Sequence, residues 1–513
     1  MRFALRCAAA WTCGVLLALL TGCAGLPPLQ DRPDTHALAP SDQTPLGRAI
    51  MPQARQHPGK TGVVAVQDGR VAFGARVALV RNAARSIDIQ TFIWHDDAAG
   101  TLLYEEVLRA AERGVRVRIL LDDANTTRSI DSILALLASQ PNVEVRLYNP
   151  FVSRGPKALG FLTDFSRVNH RMHNKSFTVD NLVAVVGGRN IADEYFETGD
   201  RTGLVDLDVI AIGAVVGQVS NEFDLFWNSA SAYPAKLILA GVQPQTRDAL
   251  AQRARAIRED PAAAKIVGAI ANAEMVRNLM AGRLDTEWTT AAVINDDPSK
   301  TLDPPDLQAV ELLPRLRAAF GRPTASLALI SPYFVPGDPG TELLAELARS
   351  GVQVEVLTNS LAATDEMSVQ SGYSKHRKAL LRAGVQLYEL RPEATVITKR
   401  ARETGRSSSA GLHAKTYAVD GRAIFVGSFN LDPRSAKLNT EMGLVIDSET
   451  MARKLAAVVQ GSSPELAYRL SLDDDGRILW HEGDRVYTVD PETGAFKRTL
   501  VLIGTWLPID WLL

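Results

Sequence analysis

The chain is built twice. Ser86 and Ser326, Tyr148 and Tyr388, and His173 and His413 are each separated by 240 positions (326 less 86, 388 less 148, 413 less 173). Between Gly114 and Gly351 the separation slips to 237, so the intervening helix is shorter in the second copy. A duplication on this scale requires two similar bodies, and any chemistry shared by the copies belongs where they meet. Each copy alternates its elements. In the first, strands are expected over 86–94, 115–121 and 143–148, with helices over 102–113 and 129–139 between them. Such alternation predicts a mixed, largely parallel sheet with helices on both faces.

The copies agree most closely at His173-x-Lys175 with Asp180, and at His413-x-Lys415 with Asp420. Each continues through a short apolar strand into a glycine turn and an asparagine, Gly187-Gly188-Arg189-Asn190 and Gly427-Ser428-Phe429-Asn430. In an extended strand residues i and i+2 share a side, so histidine and lysine reach one phosphate together. One imidazole is a competent nucleophile toward phosphorus, and a second, protonated, can donate to the leaving alkoxide. Lysine and asparagine meet the phosphoryl oxygens where charge gathers. A nucleophilic imidazole also needs one nitrogen held, so an acid is expected behind each histidine. Asp180 and Asp420 follow too far along the strand to reach the same phosphate, and are expected to brace the hairpin.

These motifs resemble the phospholipase D superfamily, whose H-x-K-x4-D-x6-G-[SG]-x-N pattern occurs twice in lipid-acting members. The resemblance extends to residues 86–94, 114–122, 331–336, 427–435 and 438–443 and is strongest to the C-type cardiolipin synthases. It implies two phospholipase D-like α/β/α sandwich repeats about a pseudo-two-fold axis, with the active site at their interface. It also implies a phosphatidyltransferase acting through phosphohistidine, with phosphatidylglycerol and possibly phosphatidylethanolamine as substrates. Hydrolytic phospholipase D, a nuclease and a non-enzymatic lipid-binding protein are the alternatives. By the same resemblance His173 is the nucleophile and His413 the acid, with Lys175, Lys415, Asp180 and Asp420 completing the motif. Asn190, Asn430 and Ser428 would touch substrate. Glu441 fits the orienting acid for the second motif, and Asp206 is the comparable acid for the first. Gly188 departs from the pattern, since many members carry serine there.

Basic and acidic residues number 56 and 58, leaving a net charge of −2, which gives no sign of a nucleic-acid partner. No cysteine or acid cluster has metal-ligand spacing, so neither metal nor other cofactor is expected. The N-terminus reads as a targeting segment over 1–23. Arg2 and Arg6 precede an apolar run that is short for a membrane span and ends in Leu20-Thr21-Gly22-Cys23. That ending resembles a bacterial lipobox, with an ordinary cleaved signal or an uncleaved anchor as the other readings. A lipidated Cys23 would fix the protein to a bacterial envelope membrane, facing the periplasm.

The remaining divisions are a proline-rich tether over 24–60, a first repeat over 61–235, a connector over 236–303, a second repeat over 304–455 and an extension over 456–513. The tether is expected to be extended and mobile. The connector is expected to be a solvated spacer rather than a substrate gate. In the extension a hairpin is expected around 484–494, and Trp506 and Trp511 are expected to close the core rather than to meet a membrane.

Overall fold

The structure, a computed structural model, describes residues 25–29, 32–155, 157–196, 204–302, 311–392, 411–461 and 466–507. Two twisted sheets form its frame, one of nine strands and one of ten. In the first, Ser86–Thr91, Arg116–Asp122 and Val143–Tyr148 run parallel, joined by the helices Ala98–Glu112 and Arg128–Ala138. The second repeats this with Ser326–Ile330, Gln353–Asn359 and Gln386–Leu390. The other pairings are antiparallel, including the motif hairpins Ser176–Val179/Val183–Gly187 and Lys415–Val419/Ala423–Gly427. Each sheet is therefore mixed, as expected, but not largely parallel. The crossover helices serve only three strands, and hairpins build the rest.

Strand periodicity explains the layers. Val183, Val185, Ile210 and Ile212 point to the outer helices of the first sheet, while Ala184, Val186, Val209 and Ala211 point inward. The inward set meets Ala328, Ile330, Ile424, Val426 and Leu444 of the second sheet in one apolar layer. Residues two apart share a face, so each strand serves two cores at once. The helices Ala214–Trp227 and Glu449–Gln460 cover the rest of the inner faces through Val215, Val219, Met451 and Leu455.

The connector is not a spacer. Its helices bury Leu250, Ala254, Ile266, Ile270, Val276 and Leu279 in the outer core of the first repeat. Glu287–Thr289 then edges the first sheet and Ala291–Asn295 the second, so the chain changes bodies at Thr290, short of the expected boundary at 304. The charged pattern at 247–258 marks only the outward side of an amphipathic helix.

Nor do the described residues of 24–60 form a mobile tether. Pro45–Gln56 is a helix, capped by Thr44 and burying Leu46 and Ile50. Pro45 sits in its first turn, where proline lacks no needed hydrogen bond. Upstream, residues 32–39 are strapped across the parallel strands. Arg146, Arg118, Arg116 and Arg85 donate to the carbonyls of Pro33, Thr35, His36 and Ala39 at 3.1, 2.9, 2.8 and 2.7 Å. Arg32 reaches back to the carbonyls of Asn228, Ser229 and Ala232. The C-terminal hairpin lies at Ile478–Glu482 and Arg485–Tyr487, earlier than expected, and extends the second sheet through Ala467–Leu472. Cys23 and Trp511 lie outside the described residues.

Candidate active site

Each motif histidine stands just ahead of its strand, and the two halves interlock there. The His173 N–H donates to the Thr440 carbonyl and the Thr440 N–H to the Arg171 carbonyl, both at 2.9 Å. On the other side the His413 and Ala414 N–H groups converge on the Val205 carbonyl at 2.8 and 2.9 Å. These short parallel bridges lay the acid-bearing segment of each repeat against the histidine of the other. His173 Nδ1 consequently pairs with Glu441 Oε2 at 2.9 Å, and His413 Nδ1 with Asp206 Oδ2 at 2.7 Å. The acids are the two expected from sequence, but each serves the opposite motif. Neither repeat holds a complete half-site alone.

With Nδ1 engaged on a carboxylate, each ring keeps Nε2 for chemistry. Both rings are nearly enclosed, with side chains 11 % and 12 % exposed. Phe92 packs edge-on to His173 at 5.1 Å between centroids, and Tyr195 to His413 at 5.0 Å. Burial, then the nearby lysines, holds the His173 pKa well below the ordinary imidazole range and brings His413 down to about 4. At rest both are neutral, the state a nucleophilic nitrogen requires.

Lys175 and Lys415 are buried beside them, and each ammonium donates to the carbonyl of its own motif histidine. That leaves two donors on each for a ligand. Burial brings Lys175 down to about 7 and Lys415 to about 8. A phosphodiester is recognised by the protonated forms, which predominate below those values. We expect kcat/KM, which reports the free enzyme, to fall as pH rises through about 7 to 8. A profile that stays flat from acid pH through about 9 would show that the lysine charges do not bind the substrate.

The acids are not equivalent. Burial pushes Glu441 up to about 7. It is also held by Ser428 Oγ and by Ser435 Oγ at 2.8 Å. Burial raises Asp206 too, but His413, Lys415 and Arg189 outweigh it and bring it to about 2. The shorter acid explains the glycine opposite it. A Cβ on Gly188 would lie 2.3 Å from Asp206 Oδ1, so serine is excluded where Ser428 fits beside the longer glutamate. Ser428 is thus a positioning residue for Glu441 rather than a substrate contact in this structure.

The asparagines divide. Asn190 is spent on the Ile93 N–H and the Tyr195 hydroxyl. Asn430 is buried with Oδ1 unpartnered among the described residues, and its amide remains for a ligand. Asp180 and Asp420 stand at the far ends of the motif strands in left-handed turns, φ 53° and 52°. Asp180 accepts the N–H groups of Ala84, Arg85 and Ser86, and Asp420 those of Thr324, Ala325 and Ser326. By resemblance both were grouped with the motif's catalytic residues, whereas here each carboxylate is engaged by backbone donors at the start of the neighbouring strand. Asp180→Ala is expected to cost about 2–4 kcal/mol, since it strands several donors and puts alanine at positive φ. Denaturant unfolding would measure this. A variant of normal stability that nevertheless lacks turnover would restore a catalytic role.

Sequence reasoning missed a second support. Asp296 accepts the Glu441 N–H at 2.8 Å and pairs with Lys300 at 3.0 Å, and Lys300 also holds the Ser435 carbonyl. Their i,i+4 spacing was visible, but it is common on exposed turns. Tyr195 carried no signal. Among the described residues no group of histidine, cysteine or acid is arranged to hold a metal ion.

Two buried histidines, each oriented by an acid from the opposite repeat and flanked by a lysine, define a two-histidine phosphoryl-transfer centre. A family model described as cardiolipin synthase, PLD-like domain, matches residues 77–227 and 316–461. Cardiolipin synthase C of Escherichia coli (strain K12) is 42% identical over 91% of this chain and 99% of its own. A cardiolipin synthase of Oceanobacillus iheyensis is 25% identical over 76% of this chain and 67% of its own. The crystal structure of phosphatidylserine synthase from Haemophilus influenzae Rd KW20 shares the fold, with a TM-score of 0.56 at 15% identity over 92% of this chain and 100% of that one. The chain belongs to the phospholipase D-like cardiolipin synthase family.

Proposed function

We propose that this chain is a phospholipase D-type phosphatidyltransferase that makes cardiolipin. The observation that carries the reading is the interlocked pair of histidine–lysine half-sites, found in a chain whose relative over nearly its full length is a cardiolipin synthase. His173 Nε2 attacks the donor phosphorus, forming a P–N bond as the P–O bond to the head alcohol breaks. His413, charged in the presence of the phosphate anion, passes its proton to that oxygen. It then takes the proton from a hydroxyl of phosphatidylglycerol as the P–N bond breaks and the new P–O bond forms. Lys175, Lys415 and Asn430 hold the phosphoryl oxygens. The donor is phosphatidylglycerol, releasing glycerol, or phosphatidylethanolamine, releasing ethanolamine.

The test is a vesicle assay with acyl-labelled and head-group-labelled lipids, run with and without EDTA. Cardiolipin as the main product in both arms is expected. Mostly phosphatidic acid would make the protein a hydrolytic phospholipase D, and DNA cleavage without a lipid product would make it a nuclease. Loss of product in EDTA, restored by one metal, would overturn the metal-free mechanism.

Phospholipid substrates imply association with a bacterial membrane, although no helix among the described residues is long and apolar enough to cross one. We assign that association in part to lipidation of Cys23 after export. Two or more acyl chains, each burying about 0.8 kcal/mol per methylene, anchor stably where one does so marginally. Cys23→Ser is expected to release the protein from membranes or stall it as precursor. Absence of radiolabelled fatty acid on the wild-type chain would reject the lipobox.

A further inference from the structure

The helix Ala495–Gly504 and the turn after it wear their apolar side chains outward. Phe496 and Trp506 are each 77% exposed, Leu502 56%, Leu507 48% and Ile503 47%, so Trp506 does not close the core as the sequence led us to expect. The side facing the body is the spare one. Gly504 lies against Ser371 of the helix Met367–Ser374, closely enough that a Cβ would meet its Oγ at 2.3 Å, and Lys497 Nζ donates to the Leu361 carbonyl at 2.6 Å. Of this helix's residues, Val501 alone is buried. Positions 496, 500, 503 and 507 form one stripe at helical spacing, with 502 and 506 flanking it. Singly exposed apolar residues need no explanation, but a contiguous patch marks an interaction surface.

Charge and position select the occupant. Between 495 and 507 the chain carries no acid, and Lys497 and Arg498, although each donates to a nearby carbonyl, of Leu361 and Thr493, leave the segment net positive beside its apolar stripe, which suits an anionic lipid surface. Indole and phenyl rings favour the boundary between headgroups and acyl chains. The helix is also tied to the active site. Leu361, which Lys497 holds, closely follows Asn359, whose amide brackets Leu412 at 2.9 and 3.1 Å beside His413. Within the same segment Asp365 accepts the Tyr333 hydroxyl at 3.0 Å.

We propose that residues 495–507 are a membrane-docking helix. It lies flat in the headgroup boundary of a bilayer containing phosphatidylglycerol and seats the cleft against the lipids it uses. The choice of lipid rests on the phosphatidyltransferase reading, so the primary test does not use turnover. The full chain is mixed with vesicles of phosphatidylglycerol carrying brominated acyl chains, and tryptophan quenching is followed. Bromine quenches only rings that enter the bilayer. Wild type is expected to be quenched, and Trp506→Phe to show roughly twofold less quenching.

In a second arm, Phe496→Ser combined with Ile503→Ser is expected to lower turnover on vesicles roughly tenfold, with short-chain monomeric phosphatidylglycerol turned over as before. These positions are exposed, so thermal melts should coincide with wild type. Undiminished quenching in Trp506→Phe would overturn the proposal. So would a double variant whose vesicle turnover is unchanged, one that loses both activities equally, or one whose only change is lost self-association, which would give the patch to a second copy. Quenching without any lipid turnover in wild type would leave docking in place and reject the catalytic reading.

Discussion

His173→Ala and His413→Ala should each abolish phosphatidyl transfer, lowering turnover by roughly four orders of magnitude or more. The two losses have different causes. Without His173 no P–N bond forms. Without His413 the head alcohol departs as an unprotonated alkoxide and the acceptor hydroxyl keeps its proton. Residues that act as one unit do not contribute additively, so the double variant should be little worse than either single one. Each ring is buried at the junction of the repeats, so unfolding midpoints must be compared alongside the rates. Appreciable turnover in either folded single variant would reject the two-histidine mechanism.

The second large effect concerns the crossed acids. Glu441→Gln should behave like a weakened His173→Ala, and Asp206→Asn like a weakened His413→Ala, each losing roughly 10²- to 10⁴-fold through the wrong tautomer of its partner. A phosphatidyl ester of p-nitrophenol separates them, because its phenolate leaves without a proton. With that substrate Asp206→Asn should still release nitrophenol and accumulate labelled protein, whereas Glu441→Gln should do neither well. The opposite assignment, with Asp206→Asn failing to label and Glu441→Gln labelling, while His173→Ala remains the variant that cannot label, would show that each acid serves its own motif.

That crossing marks the limit of what the sequence discloses. His173, Lys175, His413 and Lys415 were legible because they recur at a fixed interval, and strand geometry alone turns that interval into a phosphate site. Glu441 and Asp206 were legible as residues but not as partners. Their bonds to histidine span 268 and 207 positions and exist only once two sheets have packed face to face. The same holds for 24–60, where the prolines argued for a loose tether. Arginines on two neighbouring strands, with Arg85 just ahead of a third, capture carbonyls of that segment, a long-range arrangement with no local period. In the helix Ala495–Gly504 the amphipathic pattern was present, but a pattern gives the apolar side and not the medium it faces.

The strap across the parallel strands also sets the length of a leash. Because Arg32 is already pinned to the body, a lipid on Cys23 would be joined to it by nine residue steps, which span roughly 30 Å at full extension. A compact chain of this size has a radius of gyration of about 24 Å, hence a breadth of roughly 60 Å. A leash half as long as its load is wide does not let the load turn over. Pro33, Thr35, His36 and Ala39, fastened through their carbonyls by arginines of the first repeat, would thus decide which side of the enzyme can look at the bilayer.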